Sequence, residues 1–185
     1  MIRHIAEKKK YTEADYNLLE EGAPFQLING DLIMLPAPTS HHQLLSIRLS
    51  SKIQYFLENI NSDGICLCAP IDVRLDDENT FQPDLIYISA ERKNELFHDQ
   101  ITGAPDLVIE ILSPSTAYYD LRQKKDFYER FAVKEYLIVD PLAKNAELYI
   151  LENAEFMLKQ KATQNGTINL ITLPGLQIDL QKLFA

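Results

Sequence analysis

Two acidic residues lie in apolar stretches that are typical of neighbouring strands, and a lysine follows them. Glu110 occupies the middle of the apolar run 106–112, and Asp84 lies near the start of a second run, 82–88. A helix predicted over about 115–132 carries Lys124. Two carboxylates can hold a hard cation such as Mg²⁺, and a lysine can neutralise charge on a phosphate. The three residues therefore predict a metal site for phosphodiester chemistry.

The position of Glu110 within its strand leaves two interpretations open. Side chains alternate along a strand, so Asp106, Val108 and Glu110 share one face, while Leu107 and Ile109 lie on the other. Both faces are largely apolar, as in a strand that is covered on both sides. An ionised carboxylate there is costly unless it is paired or metal-bound. Glu110 is either a metal ligand or a structural residue that reaches solvent at a sheet edge or forms an ion pair.

Asp84 and Lys124 each have a simpler alternative role as well. Asp84 follows Pro83, which suits the first position of a strand, where an aspartate often bonds nearby backbone N–H groups. Asp120, Lys124 and Tyr128 have i, i+4, i+8 spacing and share one stripe of the predicted helix. Lys124 could orient water or stabilise the transition state. Alternatively, Asp120 and Lys124 form an ordinary surface pair worth a few tenths of a kcal/mol.

Composition bounds the class of protein. A chain of 185 residues with 46% hydrophobic content predicts one globular domain over 1–185. The net charge of −9 argues against sequence-blind coating of DNA, yet it is compatible with a nuclease whose metal site itself needs carboxylates. No apolar run approaches the length of a membrane span, and the N-terminus does not resemble a secretion signal, so a cytoplasmic protein is expected. Cys66 and Cys68 fit neither a redox pair nor a zinc site and are predicted to be buried thiols.

Local signals predict the order of the elements. A short helix at 11–20, with Thr12 as its N-cap and Gly22 as its stop, precedes a hairpin at 25–35 that turns at Asn29-Gly30. A long helix is predicted from Thr39 or Ser40 to about 61, with His41 and His42 in its first turn. One of its faces carries an apolar stripe of Leu45, Leu49, Ile53, Phe56 and Ile60.

The remaining elements are mostly strands. One strand, interrupted near Pro70, is predicted at 65–75, a polar turn at 76–79, and an exposed charged segment at 89–100. After the predicted helix that carries Lys124, a strand at 133–141 is followed by weaker strands near 146–151, 155–161 and 167–172 and by a C-terminal helix near 178–184. The order indicates an α/β or α+β domain with a mixed central β-sheet flanked by helices.

Several short motifs in this order resemble one known family. They are FQLINGD at 25–31, HQ at 42–43, APIDVRL at 69–75, QPDL at 82–85, GAPDLVIEILSPST at 103–116 and EYLIVDP at 135–141, together with Asp120, Lys124 and Tyr128. The set is similar to the Uma family of restriction-endonuclease-like proteins in the PD-(D/E)XK nuclease superfamily. The resemblance implies a restriction-endonuclease-like core and Mg²⁺-dependent DNA cleavage, with Mn²⁺ as a substitute, DNA as the partner and a homodimer as the assembly.

The resemblance also implies roles for individual residues. Asp84 matches the acid of the first motif element and Glu110 that of the second, so both would ligate the metal. Leu112 stands where the common motif has lysine, and Lys124 matches the displaced lysine of this family. Gln26 stands where the family usually has glutamate, which would weaken metal binding, and His42 matches a histidine near the pocket.

These observations lead to one leading hypothesis and its rivals. In the leading hypothesis, Asp84, Glu110 and Lys124 are catalytic in a Mg²⁺-dependent endonuclease, and Asp120 and Tyr128 orient Lys124. The rival is a module that retains the nuclease fold, binds metal weakly and acts through protein or nucleic-acid contacts. A small-molecule hydrolase is ranked last, because no nucleophile–histidine–acid arrangement supports it.

Overall fold

The structure, a computed structural model, describes residues 9–20, 22–113 and 123–185. In chain order, its helices and strands are α1 (Glu13–Tyr16), β1 (Phe25–Ile28), β2 (Asp31–Met34), α2 (Ser40–Asn59), β3 (Ile65–Cys68), β4 (Val73–Asp76), β5 (Asn79–Phe81), β6 (Leu85–Ile88), α3 (Ala90–Leu96), β7 (Ile101–Thr102), β8 (Leu107–Ile111), α4 (Lys125–Arg130), β9 (Glu135–Asp140), β10 (Asn145–Glu152), β11 (Glu155–Thr163), β12 (Thr167–Asn169), β13 (Gln177–Asp179) and α5 (Leu180–Leu183).

A mixed six-stranded sheet forms the centre of the fold, in the order β11-β10-β9-β8-β6-β3. Strands β8 and β9 pair in parallel, and the other neighbours pair antiparallel. A second sheet has the order β2-β1-β5-β4-β7, and β12 pairs with β13. This architecture confirms the predicted α+β class with a mixed central sheet and flanking helices.

Strand β8 lies in the interior of the central sheet and is covered on both faces, as its apolar sequence predicts. Leu107, Ile109 and Ile111 pack into a cluster with the buried face of α2. Val108 packs on the opposite face, in a cluster that includes Tyr128 and residues of the second sheet. The other side chains of β8 lie on the face away from α2. They therefore point into the space between β8, α4 and the second sheet.

The turn and cap signals near the N-terminus are confirmed. Asn29 and Gly30 have φ values of 50° and 70°, as the central positions of a type I′ hairpin turn require. The backbone and hydroxyl of Thr12 donate to Asp15 at 2.9 and 3.1 Å, which begins α1. The Thr39 hydroxyl accepts from the His42 N–H at 3.2 Å and caps α2.

Helix boundaries and faces differ from the predictions in places. Helix α1 ends at Tyr16, well before the predicted stop at Gly22. In α2 the fourth inward position belongs to Leu57, whereas Ile60 is the C-cap and is 53% exposed. The prediction that Ile60 continues the apolar stripe was wrong, because α2 ends at Asn59 and Ile60 is no longer part of the helix. The predicted helix at about 115–132 is described only from residue 123 onward, where α4 spans Lys125–Arg130, and its part at 115–122 lies outside the described residues.

Long-range pairing overturns several strand predictions. The single strand predicted at 65–75 is two strands, β3 and β4, which belong to different sheets. Pro70 lies between them and cannot donate a ladder hydrogen bond. The predicted strand at 82–88 begins only at Leu85, and β5, α3 and β13 were not predicted. Helix α3 lies in the segment expected to be exposed, but Leu96 anchors it at 2% exposure.

The prediction of two buried thiols is only half correct. Both cysteines are free, and Cys68 is exposed at the end of β3, while Cys66 is half-buried. Burial, with a smaller contribution from Cys68, raises the pKa of Cys66 to about 12. Cys66 is therefore a protonated and unreactive thiol near neutral pH. In the described ranges, no helix is long and apolar enough to span a membrane.

Candidate active site

The register of the central sheet brings Asp84 next to Glu110. Strands β6 and β8 pair antiparallel, with Leu85 opposite Ile109. One further step in this register places Asp84 opposite Glu110, where side chains of paired residues lie about 5 Å apart at the Cβ atoms. The Asp84 carboxylate is tied to the same strand, because its Oδ2 accepts from the Ile111 N–H at 2.7 Å.

Asp84 is also held from the side of α2. His42 Nε2 lies 3.1 Å from Asp84 Oδ2, and the side chains of His42 and Asp84 are 13% and 17% exposed. The N-cap at Thr39 fixes the first turn of α2 and therefore the position of His42. Of the two adjacent histidines, only His42 contacts the candidate site among the described interactions, as the 100° angle between neighbouring helical residues leads one to expect.

Glu110 forms a buried ion pair. Its Oε1 accepts from Lys124 Nζ at 2.8 Å and from the Tyr128 hydroxyl at 2.9 Å. Glu110, Lys124 and Tyr128 are 2%, 3% and 0% exposed. The interpretation of Glu110 as an edge residue that reaches solvent is therefore wrong, because β8 is an interior strand. The alternative in which Lys124 belongs to an ordinary surface pair is also wrong, because Lys124 is buried.

Helix α4 positions both partners of Glu110. Lys124 directly precedes α4 and Tyr128 lies one turn later, so the i, i+4 spacing turns both side chains toward β8. The Tyr128 ring packs edge-on against Phe81 at 5.5 Å and against Tyr136 at 5.2 Å between centroids. These contacts fix the hydroxyl that Glu110 accepts from. Asp120, the third member of the predicted stripe, lies outside the described residues.

Gln26 is buried without a hydrogen bond to its side-chain oxygen. It is 1% exposed, and its Oε1 has no hydrogen-bond partner in the described part of the chain. On β1 it shares a face with Ile28, which belongs to the cluster that contains Val108 and Tyr128. A buried polar atom without a partner is unusual, and the Gln26 Oε1 atom therefore has unused acceptor capacity.

A cavity of about 610 Å³ joins the candidate site residues. Its lining includes Asp84, Glu110, Lys124, His42 and Ser113, whereas Gln26 and Tyr128 are buried outside the lining. Residues 35–38, Gln43, Ser46 and Ser113 also line this cavity, and they were not predicted as site residues. The prolines directly before a capped helix were the available signal, because proline fixes φ and makes such a segment rigid.

The carboxylates suit a magnesium ion better than a metal that needs a complete protein cage. Across residues 9–20, 22–113 and 123–185, no group of three or more His, Cys, Asp or Glu side chains could hold a metal ion. Mg²⁺ is usually bound through one or two carboxylates together with water and phosphate oxygens. Asp84 and Glu110 line one cavity and meet that requirement.

Comparisons with known proteins show the fold and the family of the chain. The chain is similar to an uncharacterized protein of Synechocystis sp. (strain PCC 6803 / Kazusa), sll1609, with 28% identity over 171 residues, 89% of this chain and 94% of the relative. Its fold matches the crystal structure of a putative nuclease belonging to DUF820 from Anabaena variabilis ATCC 29413, with a TM-score of 0.78 and 18% identity over 94% of this chain and 97% of that one. The likeness confirms the restriction-endonuclease-like fold. A family model, Uma2, described as "Putative restriction endonuclease", matches residues 12–181. The chain therefore belongs to the Uma2 family of restriction-endonuclease-like proteins.

Proposed function

We propose that the chain is a Mg²⁺-dependent endonuclease that hydrolyses phosphodiester bonds in DNA, with Mn²⁺ able to replace Mg²⁺. The observation that carries this proposal is that Asp84, Glu110 and Lys124 line one cavity although they come from three separate parts of the sequence. Two carboxylates can hold a divalent cation, and an ammonium group in the same recess can stabilise charge on a phosphate.

Asp84 and Glu110 are the residues that would hold the divalent cation. When bound, the cation supplies Lewis acidity toward the phosphate and makes water easier to deprotonate. Asp84 is restrained by the Ile111 N–H and His42, and Glu110 by Lys124 and Tyr128. Such restraint keeps both carboxylates in place before a ligand arrives.

Lys124 has two roles in this proposal. Its ammonium group stabilises the buried Glu110 carboxylate, and Lys124 lines the same cavity in which a phosphate would lie. A lysine in a water-poor site stabilises negative charge that develops in the transition state and can orient the attacking water. Tyr128 is a positioning residue, because it donates to Glu110 from outside the cavity lining.

The proposal is tested by nicking of supercoiled plasmid DNA in the presence of Mg²⁺. Asp84→Ala and Lys124→Ala should each lower the nicking rate by about 10²-fold or more. Asp63→Asn is the control for Asp84→Ala, because it removes one negative charge from an exposed loop. Lys125→Ala is the control for Lys124→Ala, because it removes the positive charge of the next residue. Equal cleavage by the wild type, Asp84→Ala and Lys124→Ala would exclude this mechanism.

One observation favours a second candidate function, that of a nuclease-fold module that binds metal weakly. Gln26 brings an amide where the family usually has a carboxylate, so the region carries one negative charge fewer. Calorimetric titration with Mg²⁺ or Mn²⁺ separates the two candidates. Binding in the millimolar range or tighter that Glu110→Gln abolishes supports the nuclease, and lack of binding by the wild type supports the module.

The assembly and compartment form part of the same proposal. A homodimer would present two sites and cut both strands of a duplex, and a cytoplasmic location would give access to DNA. Sedimentation equilibrium of the purified chain tests the first statement, with a mass of twice 21.2 kDa expected.

A further inference from the structure

A second cavity of about 480 Å³ adjoins the candidate active site. Gly22, Pro70 and Gln82 line both cavities, so the two recesses meet at a shared wall. Gln82 lies two residues before Asp84, which places the junction beside the proposed metal ligand. A substrate strand whose phosphate lies at Asp84 can therefore continue into the second recess.

A surface that binds duplex DNA contacts phosphates through basic side chains, and the linings of these two recesses are mainly apolar or acidic. Part of the lining of the first recess is apolar and rich in proline, and it consists of Pro24, Leu35, Pro36, Ala37 and Pro38. Residues 36–38 are exposed in the described structure. A flat, apolar nucleobase buries surface against proline rings, whereas a phosphate gains nothing from them.

The second recess carries carboxylates. Glu20, Asp72 and Asp99 contribute to its lining. Asp72 Oδ1 accepts from the Tyr16 hydroxyl and from Gln82 Nε2, each at 2.9 Å. Burial, and then the charge of Asp72, raises the pKa of Tyr16, so its hydroxyl remains a donor. Carboxylates repel phosphates, but they accept hydrogen bonds from the amino groups of bases.

We propose that the substrate of this site is nucleic acid with an unpaired strand, whose bases enter the two joined recesses. This inference rests on the proposed nuclease function and specifies its substrate class. The bases adjacent to the scissile phosphate lie against the proline wall and beside Asp72, while the phosphate meets Asp84, Glu110 and Lys124. A duplex keeps its bases stacked inside and offers the same recesses only phosphates, which the chain charge of −9 disfavours.

The test compares three labelled oligonucleotides of one sequence with the full chain and Mg²⁺: a single strand, a complete duplex, and a duplex with a central unpaired stretch. Cleavage of the unpaired strand should be at least about tenfold faster than cleavage of the duplex, because base contacts are available only when the strand is unpaired. Equal or faster cleavage of the duplex overturns the substrate class and leaves the nuclease function intact.

Absence of cleavage in all three oligonucleotides contradicts the proposed nuclease function instead. Fluorescence anisotropy of the same oligonucleotides without metal then decides the preference for unpaired strands. Stronger binding of the single strand supports the preference, and equal or stronger binding of the duplex overturns it.

A pair of variants tests the second recess separately. The double variant Glu20→Gln and Asp99→Asn removes two exposed charges from its lining, and Asp63→Asn with Glu155→Gln removes two exposed charges elsewhere. The first double variant should lower the ratio of single-strand to duplex binding by about threefold at low salt, because less charge repels phosphates there. An equal change in the second double variant overturns the role of this recess.

Discussion

A buried acid lies near each end of strand β8: Asp106 directly precedes the strand, and Glu110 is next to its last residue. Comparison of these two ends indicates what distinguishes a candidate site from a structural ion pair. Asp106 accepts from the Ser89 N–H at 2.8 Å and pairs with Arg92 at 3.2 Å and Lys134 at 2.6 Å. Glu110 pairs with Lys124 at 2.8 Å. Burial and a cationic partner are therefore common to both acids.

The surroundings of the two acids differ. The side chains of Lys134 and Arg92 are 57% and 25% exposed. Asp106 therefore pairs with cations that reach it from the protein surface, one from α3 and one from the residue before β9. The Lys124 side chain is only 4% exposed, and Glu110 shares a cavity with a second carboxylate, Asp84. The comparison shows that an ion pair alone does not identify a site. The second carboxylate and the cavity make Glu110 the functional candidate.

The largest expected difference between the two ends is in stability after loss of the lysine. Lys124→Ala leaves the buried Glu110 carboxylate uncompensated and should lower the free energy of unfolding by about 3–5 kcal/mol. Lys134→Ala should lower it by less than about 1 kcal/mol, because Lys134 is exposed and Arg92 still pairs with Asp106. Urea unfolding of both variants gives the two values. Similar losses would mean that the two ion pairs are energetically equivalent.

A smaller difference is expected for the tyrosine that donates to Glu110. Tyr128→Phe removes a buried hydrogen bond to a carboxylate and should lower the unfolding free energy by about 1.5–3 kcal/mol. Tyr149→Phe removes a similar bond, to Glu147 at 2.7 Å, but from a half-buried site away from the cavity. It should cost less, and only Tyr128→Phe should reduce plasmid nicking. Equal nicking by the two variants would remove Tyr128 from the candidate site.

The smallest effect concerns the acid dependence of the structural end. Burial alone would raise the pKa of Asp106, but Lys134, the Ser89 amide and Arg92 together hold it below its ordinary value of 3.8. Its stabilisation is therefore present above that value and is lost as the pH falls through the lower pKa of the folded state. Asp106→Asn should flatten the loss of stability on acidification below about pH 4, measured by urea midpoints. An unchanged acid dependence would contradict this assignment.

The sequence predicts those parts of the molecule that local chemistry determines. The Asn29-Gly30 turn needs two residues that tolerate positive φ, and the cap at Thr39 needs a hydroxyl before the helix, so both were identified. The apolar pattern of 106–112 correctly indicated a strand that is covered on both sides.

Features that depend on distant pairing could not be predicted in the same way. Residues 65–75 look like one strand because periodicity does not reveal that β3 and β4 pair in different sheets. The burial of Lys124 and the place of residues 36–38 in the cavity lining depend on tertiary packing, which local patterns do not reveal. The residue types predicted a metal site at Asp84, Glu110 and Lys124 but left structural alternatives open, and the motif resemblance supported the site.

We propose that Glu110, and not the equally buried Asp106, belongs to the active site. The most direct test is plasmid nicking in Mg²⁺ by Glu110→Gln and Asp106→Asn, with both variants verified as folded by circular dichroism. Glu110→Gln should retain less than about one hundredth of the wild-type rate, and Asp106→Asn should stay within about threefold of it. An equal loss in both folded variants, or unchanged nicking by Glu110→Gln, would contradict the assignment.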